Sequence, residues 1–144
     1  MASIKGFQLK GVVNFRGHEG ELLSQGNIYY KNKKVGFYGD ANKGIPQAIE
    51  LTGAEVIQAY EKASKEYCEF PDLFFSELLD LSADEKEYKK FVKKGYPITF
   101  SYVKNTVQRF VGHCMKESQL DSLKADKSIS NLRIYRKPED FIIE

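Results

Sequence analysis

The chain has 144 residues, of which 42% are apolar and 29% are charged, and its formal net charge is +2. This length suits one domain with a single hydrophobic core, and the composition is typical of a globular protein and excludes wholesale disorder. Apolar runs are only a few residues long, which excludes a membrane-spanning helix. We therefore expect a single domain over residues 1–144 that does not contact a membrane.

The N-terminus and the cysteines indicate where the protein works. No apolar stretch follows the first charged residues, so no signal peptide is expected. Cys68 and Cys114 are the only cysteines, and two cysteines do not make a disulfide framework. We expect a cytoplasmic protein, and its size and lack of motifs suit an accessory protein of a bacterium or a mobile element.

The first third of the chain has the alternation of β-strands. Residues 7–16 read FQLKGVVNFR, with apolar and polar side chains on opposite sides, which predicts a half-buried strand. Strands are also predicted for residues 27–31 and 34–38, with a tight turn at Asn32 and Lys33 because asparagine tolerates a positive φ. The three strands predict an antiparallel meander.

Residues 52–95 change to helical periodicity. The capping boxes TGAE at 52–55 and SADE at 82–85 predict two helix starts, and Pro71 fits the first turn of a helix between them. Gly95 fits a C-terminal stop. Three helices are therefore predicted. Their acidic residues, including Asp84 and Glu85, are expected on the solvated surface, where they complement the helix dipole.

The secondary structure of the last third of the chain is less clear from its pattern. Residues 98–103 alternate as a strand does. In residues 106–117 the apolar side chains are spaced as in a helix, while TVQRFV also suits a strand, and we favour the helix. A last strand is expected at 132–136. The fold class predicted is α+β, with one antiparallel sheet made of the N-terminal meander plus one or two C-terminal strands, and three to four helices packed on one face.

Two patterns resemble known ligand sites but lack essential residues. Gly39 and Gly44 have the spacing of a phosphate-binding loop, yet Ile45 and Pro46 stand where lysine and serine or threonine are required. The four residues that suit zinc do not form the close pairs typical of its sites; these are His18, Cys68, His113 and Cys114. We expect no metal and no cofactor.

Two residue pairs carry the hypothesis that the protein is an enzyme. His18 and Glu19 form a potential acid–base pair on a glycine-flanked loop. His113 and Cys114 supply a base and a nucleophile, although adjacent positions more often serve packing. The chain has no nucleophile elbow of the form G-x-S-x-G. We expect no catalytic role, and an enzyme remains the third interpretation.

The basic and aromatic residues of the first third give the leading functional interpretation. We expect them on the outer face of the meander, away from the helices. The predicted binding surface comprises Lys10, Arg16, Tyr29, Lys31, Lys34 and Tyr38. Tyrosines on an open sheet can anchor a protein partner or a homo-oligomer. Tyrosines among lysines also suit nucleic acid, which is the alternative, although no RNP1-like run is present.

Overall fold

The computed structural model describes residues 1–17, 19–40, 47–106 and 108–144. Within these residues the protein is a mixed α+β structure with nine strands in two sheets and three helices, which confirms the α+β class. The elements are β1 (Ser3–Ile4), β2 (Phe7–Arg16), β3 (Leu22–Tyr30), β4 (Lys33–Gly39), β5 (Ala48–Leu51), α1 (Ala54–Tyr67), α2 (Phe74–Lys93), β6 (Ile98–Lys104), β7 (Gln108–Cys114), α3 (Asp121–Ala125), β8 (Ile129–Tyr135) and β9 (Ile142–Ile143).

The chain divides into two compact units. The N-terminal unit comprises Ala2–Asp80 with Ile143–Glu144, and the C-terminal unit comprises Leu81–Ile142 with Met1. The prediction of one sheet is therefore corrected to two. The predicted meander belongs to a six-stranded sheet of order β5-β4-β3-β2-β1-β9, while the later strands form a separate sheet of order β7-β6-β8.

The N-terminal unit has an aromatic core on one face of its sheet. Phe7 projects from β2, and its ring packs edge-on against the rings of Phe74 and Phe75, at centroid distances of 5.7 and 6.1 Å. The Tyr60 ring from α1 stacks on Phe75 at 5.2 Å. Edge-to-face and offset contacts of this kind stabilise a core beyond the burial of apolar area. We call the face that carries Phe7 the inner face.

The helices differ from the prediction in one respect. The first predicted helix is confirmed as α1, whereas the second and third are one continuous helix, α2. Residues 82–85 contain neither glycine nor proline, and the turn before them is already helical, so the capping-box pattern does not start a new helix there. The surface placement of Asp84 and Glu85 is also wrong, because both are buried.

The segment for which a helix was favoured is a strand. β7 pairs with β6 in an unbroken antiparallel register from Ile98 opposite Cys114 to Lys104 opposite Gln108. Asn105 and Thr106 both have positive φ, near 54° and 61°, and form the tight turn before it. Residue 107 lies outside the described residues. The strand propensity of Phe110 and Val111 prevailed over the helical spacing of the segment.

Candidate binding surface

A bulge in β4 decides which of its side chains face the core. Ile28 lies opposite Gly36 and Tyr29 opposite Lys34, which leaves Val35 as an extra residue between the two pairs. The alternation of β4 therefore reverses at this point. Phe37 consequently lies on the opposite side of the sheet from the core, and Tyr38 takes the inner position that regular alternation would assign to Phe37.

Tyr38 is a core residue, so its predicted place on the binding surface is wrong. Its side chain is 1% exposed, and its ring lies 5.6 Å from that of Phe75. The hydroxyl donates a 2.7 Å hydrogen bond to the Asp40 carboxylate. Burial raises the pKa of Tyr38 well above its ordinary value, and the bond to Asp40 raises it further.

A second bulge, in β2, removes Arg16 from the predicted surface. The register shifts between Lys10 and Val13, where Gly11 adopts a φ of 61° that favours glycine. Beyond the bulge Val13 takes the side of Lys10, and Arg16 alternates to the other side. The Arg16 guanidinium instead donates a 2.9 Å hydrogen bond to the Gly20 carbonyl within its own hairpin.

Lys31 also lies apart from the predicted surface. Lys31 and Asn32 form the turn between β3 and β4, with φ near 49° and 67°. The Lys31 ammonium lies 5.3 Å from the ring centroid of Tyr30, and that ring packs against Phe7 on the inner face. The turn therefore stands one residue earlier than predicted and directs Lys31 toward the inner-face aromatic residues.

The remaining predicted residues share one side of the sheet and are joined by Phe37. Cross-strand partners lie on the same side of a sheet, and Tyr29 is paired with Lys34. Asn27 is paired with Lys10 on one neighbouring strand and with Phe37 on the other, so Lys10 and Phe37 also share this side. We call the surface formed by Lys10, Tyr29, Lys34 and Phe37 the outer face. Lys34 is exposed and the other three are partly exposed. Phe37 was not predicted to lie on this surface, and the only sign of its placement in the sequence was the glycine that follows Val35.

The chemistry of the outer face combines ammonium groups with aromatic rings. The Lys10 ammonium lies 4.4 Å above the centroid of the Tyr29 ring, a cation–π contact typically worth about 0.5–1 kcal/mol at exposed sites. Phe37 leans over Gly39, where a side chain would meet its ring at 3.5 Å. Such a surface can bind carboxylates and apolar groups together.

The structure does not bring the side chains of His113 and Cys114 together as a base and a nucleophile. His113 and Cys114 are consecutive in β7, so their side chains point to opposite faces of the sheet. The His113 ring packs against Tyr96 at 3.9 Å, whereas Cys114 is buried with Ile98 and Leu120. Burial raises the pKa of the Cys114 thiol, which lowers its reactivity.

The first loop and the glycine-rich segment are only partly described. His18 and residues 41–46 lie outside the described residues, so neither the His18–Glu19 pair nor the loop between Gly39 and Gly44 can be assigned a geometry. Glu19 is exposed, and its backbone N–H donates a 3.0 Å hydrogen bond to the Glu21 carboxylate. That bond is local to the loop.

A buried polar cluster in the C-terminal unit escaped sequence reasoning. Asp84 of α2 is fully buried, and its carboxylate accepts 2.7 Å hydrogen bonds from the hydroxyls of Ser101 and Tyr135. Arg109 forms an ion pair with the same carboxylate. Burial first, and the Asp84 charge second, raise the pKa of Tyr135. The available signal was spacing, since Asp84 lies three residues after Leu81 on the apolar stripe of α2.

Across residues 1–17, 19–40, 47–106 and 108–144, no group of three or more histidine, cysteine or acidic side chains is arranged to hold a metal ion. No helix in that part of the chain is long and apolar enough to cross a membrane. No family model, curated protein or solved structure matches the chain.

Proposed function

We propose that the protein is a small binding module without catalytic activity, and that its outer face contacts another protein. The observation that carries this proposal is the pair of partly exposed rings, Tyr29 and Phe37, flanked by Lys10 and Lys34 on a sheet whose other face is filled by the aromatic core. Aromatic side chains commonly anchor protein interfaces, because they bury much area at little entropic cost. We further propose that it works in the reducing cytoplasm, and the absence of a disulfide between Cys68 and Cys114 supports this.

The neighbouring residues favour a protein over nucleic acid. Val13 and Phe15 lie on the same side of β2 as Lys10, and both are exposed, so the outer face continues into apolar surface. Apolar surface suits a protein interface, whereas a phosphate backbone requires a more continuous array of basic groups. Two lysines would repel their equivalents in a symmetric dimer through this face. We therefore infer a partner with an acidic rim around an apolar centre.

Site-specific photo-crosslinking tests this proposal. Phe37 is replaced by p-benzoylphenylalanine in the full chain expressed in its native cells, and Phe110, an aromatic residue with 36% exposure in the C-terminal unit, is replaced in a matched control. We expect a discrete protein adduct from position 37 only. An adduct of doubled chain mass would identify a second copy as the partner. Equal adducts from both positions, or none from position 37, would contradict the proposal.

Nucleic acid is the second candidate, because the cation–π pair of Lys10 and Tyr29 is also an arrangement that stacks bases and neutralises phosphates. Its test is the binding of a mixed-sequence single-stranded oligonucleotide at several salt concentrations. If this candidate is correct, K10Q and K34Q each reduce the slope of log affinity against log salt by about 0.7. A nuclease-sensitive adduct at position 37 would also support it over the protein partner.

A further inference from the structure

The edge strand β5 has one side that the rest of its sheet does not use. β5 stands at the end of the six-stranded sheet and pairs with β4 from Ala48 opposite Gly39 to Leu51 opposite Gly36. Within the described part of the chain, no second strand pairs with its other side. Alternate backbone N–H and C=O groups of an edge strand point away from its neighbour, and an added strand can bind them.

An apolar groove lies directly beside this edge. It has a volume of about 330 Å³ and is lined by Ile49, Leu51, Ile57, Tyr60 and Glu61. Ile49 and Leu51 are two residues apart in β5 and therefore point to the same side, toward α1. Ile57 on α1 is 40% exposed, which is unusual for an isoleucine beside a core. The groove is large enough to receive one sizeable apolar side chain.

The segment that forms the edge and one wall of the groove carries charge of one sign. Residues 46–61 contain the acidic side chains Glu50, Glu55 and Glu61 and no basic residue. All three glutamates are exposed. The first basic residue after them, Lys62, lies within 4.0 Å of Glu66. Glu61 lines the groove, whereas Glu50 pairs with Phe37 and lies on the other side of the sheet. A strand added to β5 therefore meets a carboxylate on each of its two sides, and the complementary ligand is apolar at its centre and basic on its flanks.

We propose that β5 and this groove bind an extended, basic peptide segment of a partner protein by strand addition. The peptide backbone pairs with the free side of β5, and one of its apolar side chains enters the groove between Leu51 and Ile57. Lysine or arginine residues on either side of that apolar residue point to the other side of the sheet, toward Glu50. Backbone pairing supplies affinity in this mode, and the pocket and charges supply specificity. The groove lies on the opposite side of the sheet from the outer face, which Glu50 borders through its pairing with Phe37, and peptide binding does not require Lys10 or Tyr29.

The first experiment uses the full chain and three fluorescein-labelled peptides. The probe is KVKLKVK; one control has the same sequence with N-methyl groups on alternate backbone nitrogens, and the other is EVELEVE. We expect saturable binding of the probe, at least about tenfold weaker binding of the N-methylated peptide, and none of the acidic peptide. The N-methylated peptide has the same charge as the probe but cannot donate the backbone hydrogen bonds of an added strand. If the two peptides bind with equal affinity, binding is electrostatic only and the proposal is overturned.

Substitutions in the protein test whether the peptide binds at β5 and the groove. Ile57→Ser and E61K are each expected to weaken binding of KVKLKVK about fivefold or more, as judged by fluorescence anisotropy. Val92→Ser, at an exposed apolar position on α2, is the matched control and should have no effect. Tyr29→Ser on the outer face should also leave peptide binding unchanged, so this proposal and the proposed function can fail separately. Unchanged binding in both Ile57→Ser and E61K, or no saturable binding of the probe, would overturn the inference.

Discussion

The interiors of the two units are built on different principles. In the N-terminal unit the helices meet the sheet through rings, with Phe7, Phe74 and Phe75 in mutual edge-on contact. In the C-terminal unit α2 meets the sheet through a buried carboxylate, Asp84, that is held by two hydroxyls and a guanidinium. The aromatic core gains stability in proportion to the apolar surface area that it buries. The polar cluster is stabilising only while every one of its hydrogen-bonding and charged partners is present.

This difference affects how each unit responds to substitution. Removing a ring from an apolar core leaves a cavity whose cost varies with how far the surroundings collapse. Removing one partner from a buried ionic cluster leaves the others desolvated and unpaired, although replacing the whole cluster with apolar side chains is often tolerated. The two interiors can therefore be distinguished by experiments that remove one group or several.

The largest effect is expected for Phe74→Ala in the aromatic core. Phe74 is fully buried, and truncation of such a residue typically costs about 3–5 kcal/mol of unfolding free energy. The matched control is Phe70→Ala, four residues earlier, where the ring is 62% exposed. Urea unfolding followed by circular dichroism measures both. A similar loss in the two variants would mean that the ring contacts of Phe74 do not carry the stability of this unit.

The next effect is expected for Asp84→Ala in the polar cluster. The substitution removes the carboxylate that accepts hydrogen bonds from Ser101 and Tyr135 and pairs with Arg109, and we expect a loss of about 3 kcal/mol of unfolding free energy. Glu87→Ala, at a partly exposed position of the same helix, is the control. The double variant D84L/R109L should recover part of the loss, because no unpaired charge is left. If the double variant is less stable than Asp84→Ala, the cluster would be irreplaceable, which contradicts this account.

The same unfolding curves also show whether the chain unfolds in one cooperative transition. Because residues 1–144 are predicted to form one domain, Phe74→Ala and Asp84→Ala should each shift a single transition. Two separate transitions would instead assign an independent stability to each unit.

Two glycines allow a smaller, matched comparison of the units. A methyl group at Gly36 would overlap the backbone oxygen of Glu50 on the neighbouring strand, whereas one at Gly112 would meet the ring of Phe100 at 2.7 Å. A backbone strand cannot move aside as a side chain can. We expect Gly36→Ala to cost about 2 kcal/mol and Gly112→Ala about 1 kcal/mol, measured by thermal unfolding. The reverse order would show that Phe100 is held more rigidly than β5.

Alkaline pH tests a feature that the two interiors share. Tyr38 and Tyr135 are both buried and bonded to carboxylates, and the pKa of each is raised above the ordinary tyrosine value near 10. The folded state thus favours their protonated form, so their contribution to stability is complete below pH 10 and falls as the pH rises above it. Replacement by phenylalanine, one position at a time, should flatten this fall between pH 10 and 12. If the dependence of the unfolding free energy on pH is unchanged in both variants, the two tyrosines do not cause this fall.

The sequence was informative where local patterns act alone. The alternation of residues 7–16 and the helical spacing of residues 54–67 predicted β2 and α1, because α1 has one regular face toward the core and β2 alternates regularly up to Gly11. The bulges at Gly11 and Val35 could not be predicted in the same way. Each inserts one residue and reverses the facing of all that follow, and for this reason Tyr38 and Arg16 were misplaced while Phe37 was missed.

The buried polar cluster around Asp84 could not be predicted from the sequence for another reason. Asp84 has charged neighbours along the chain, and its partners Ser101, Arg109 and Tyr135 are 17 or more residues away. Only the pairing of β6 with both β7 and β8 brings them together. A carboxylate on a helix is ordinarily solvated, so local pattern favours the wrong placement until the tertiary partners are known.

The most direct test of the proposed function is the effect of charge on crosslinking from position 37. In the outer-face variant Lys10 and Lys34 are both replaced by glutamate, and in the control the exposed Lys89 and Lys94 are replaced in the same way. If the outer face binds an acidic protein partner, the yield of the protein adduct falls at least about fivefold in K10E/K34E and is unchanged in K89E/K94E. Equal yields in the two folded variants would contradict the account.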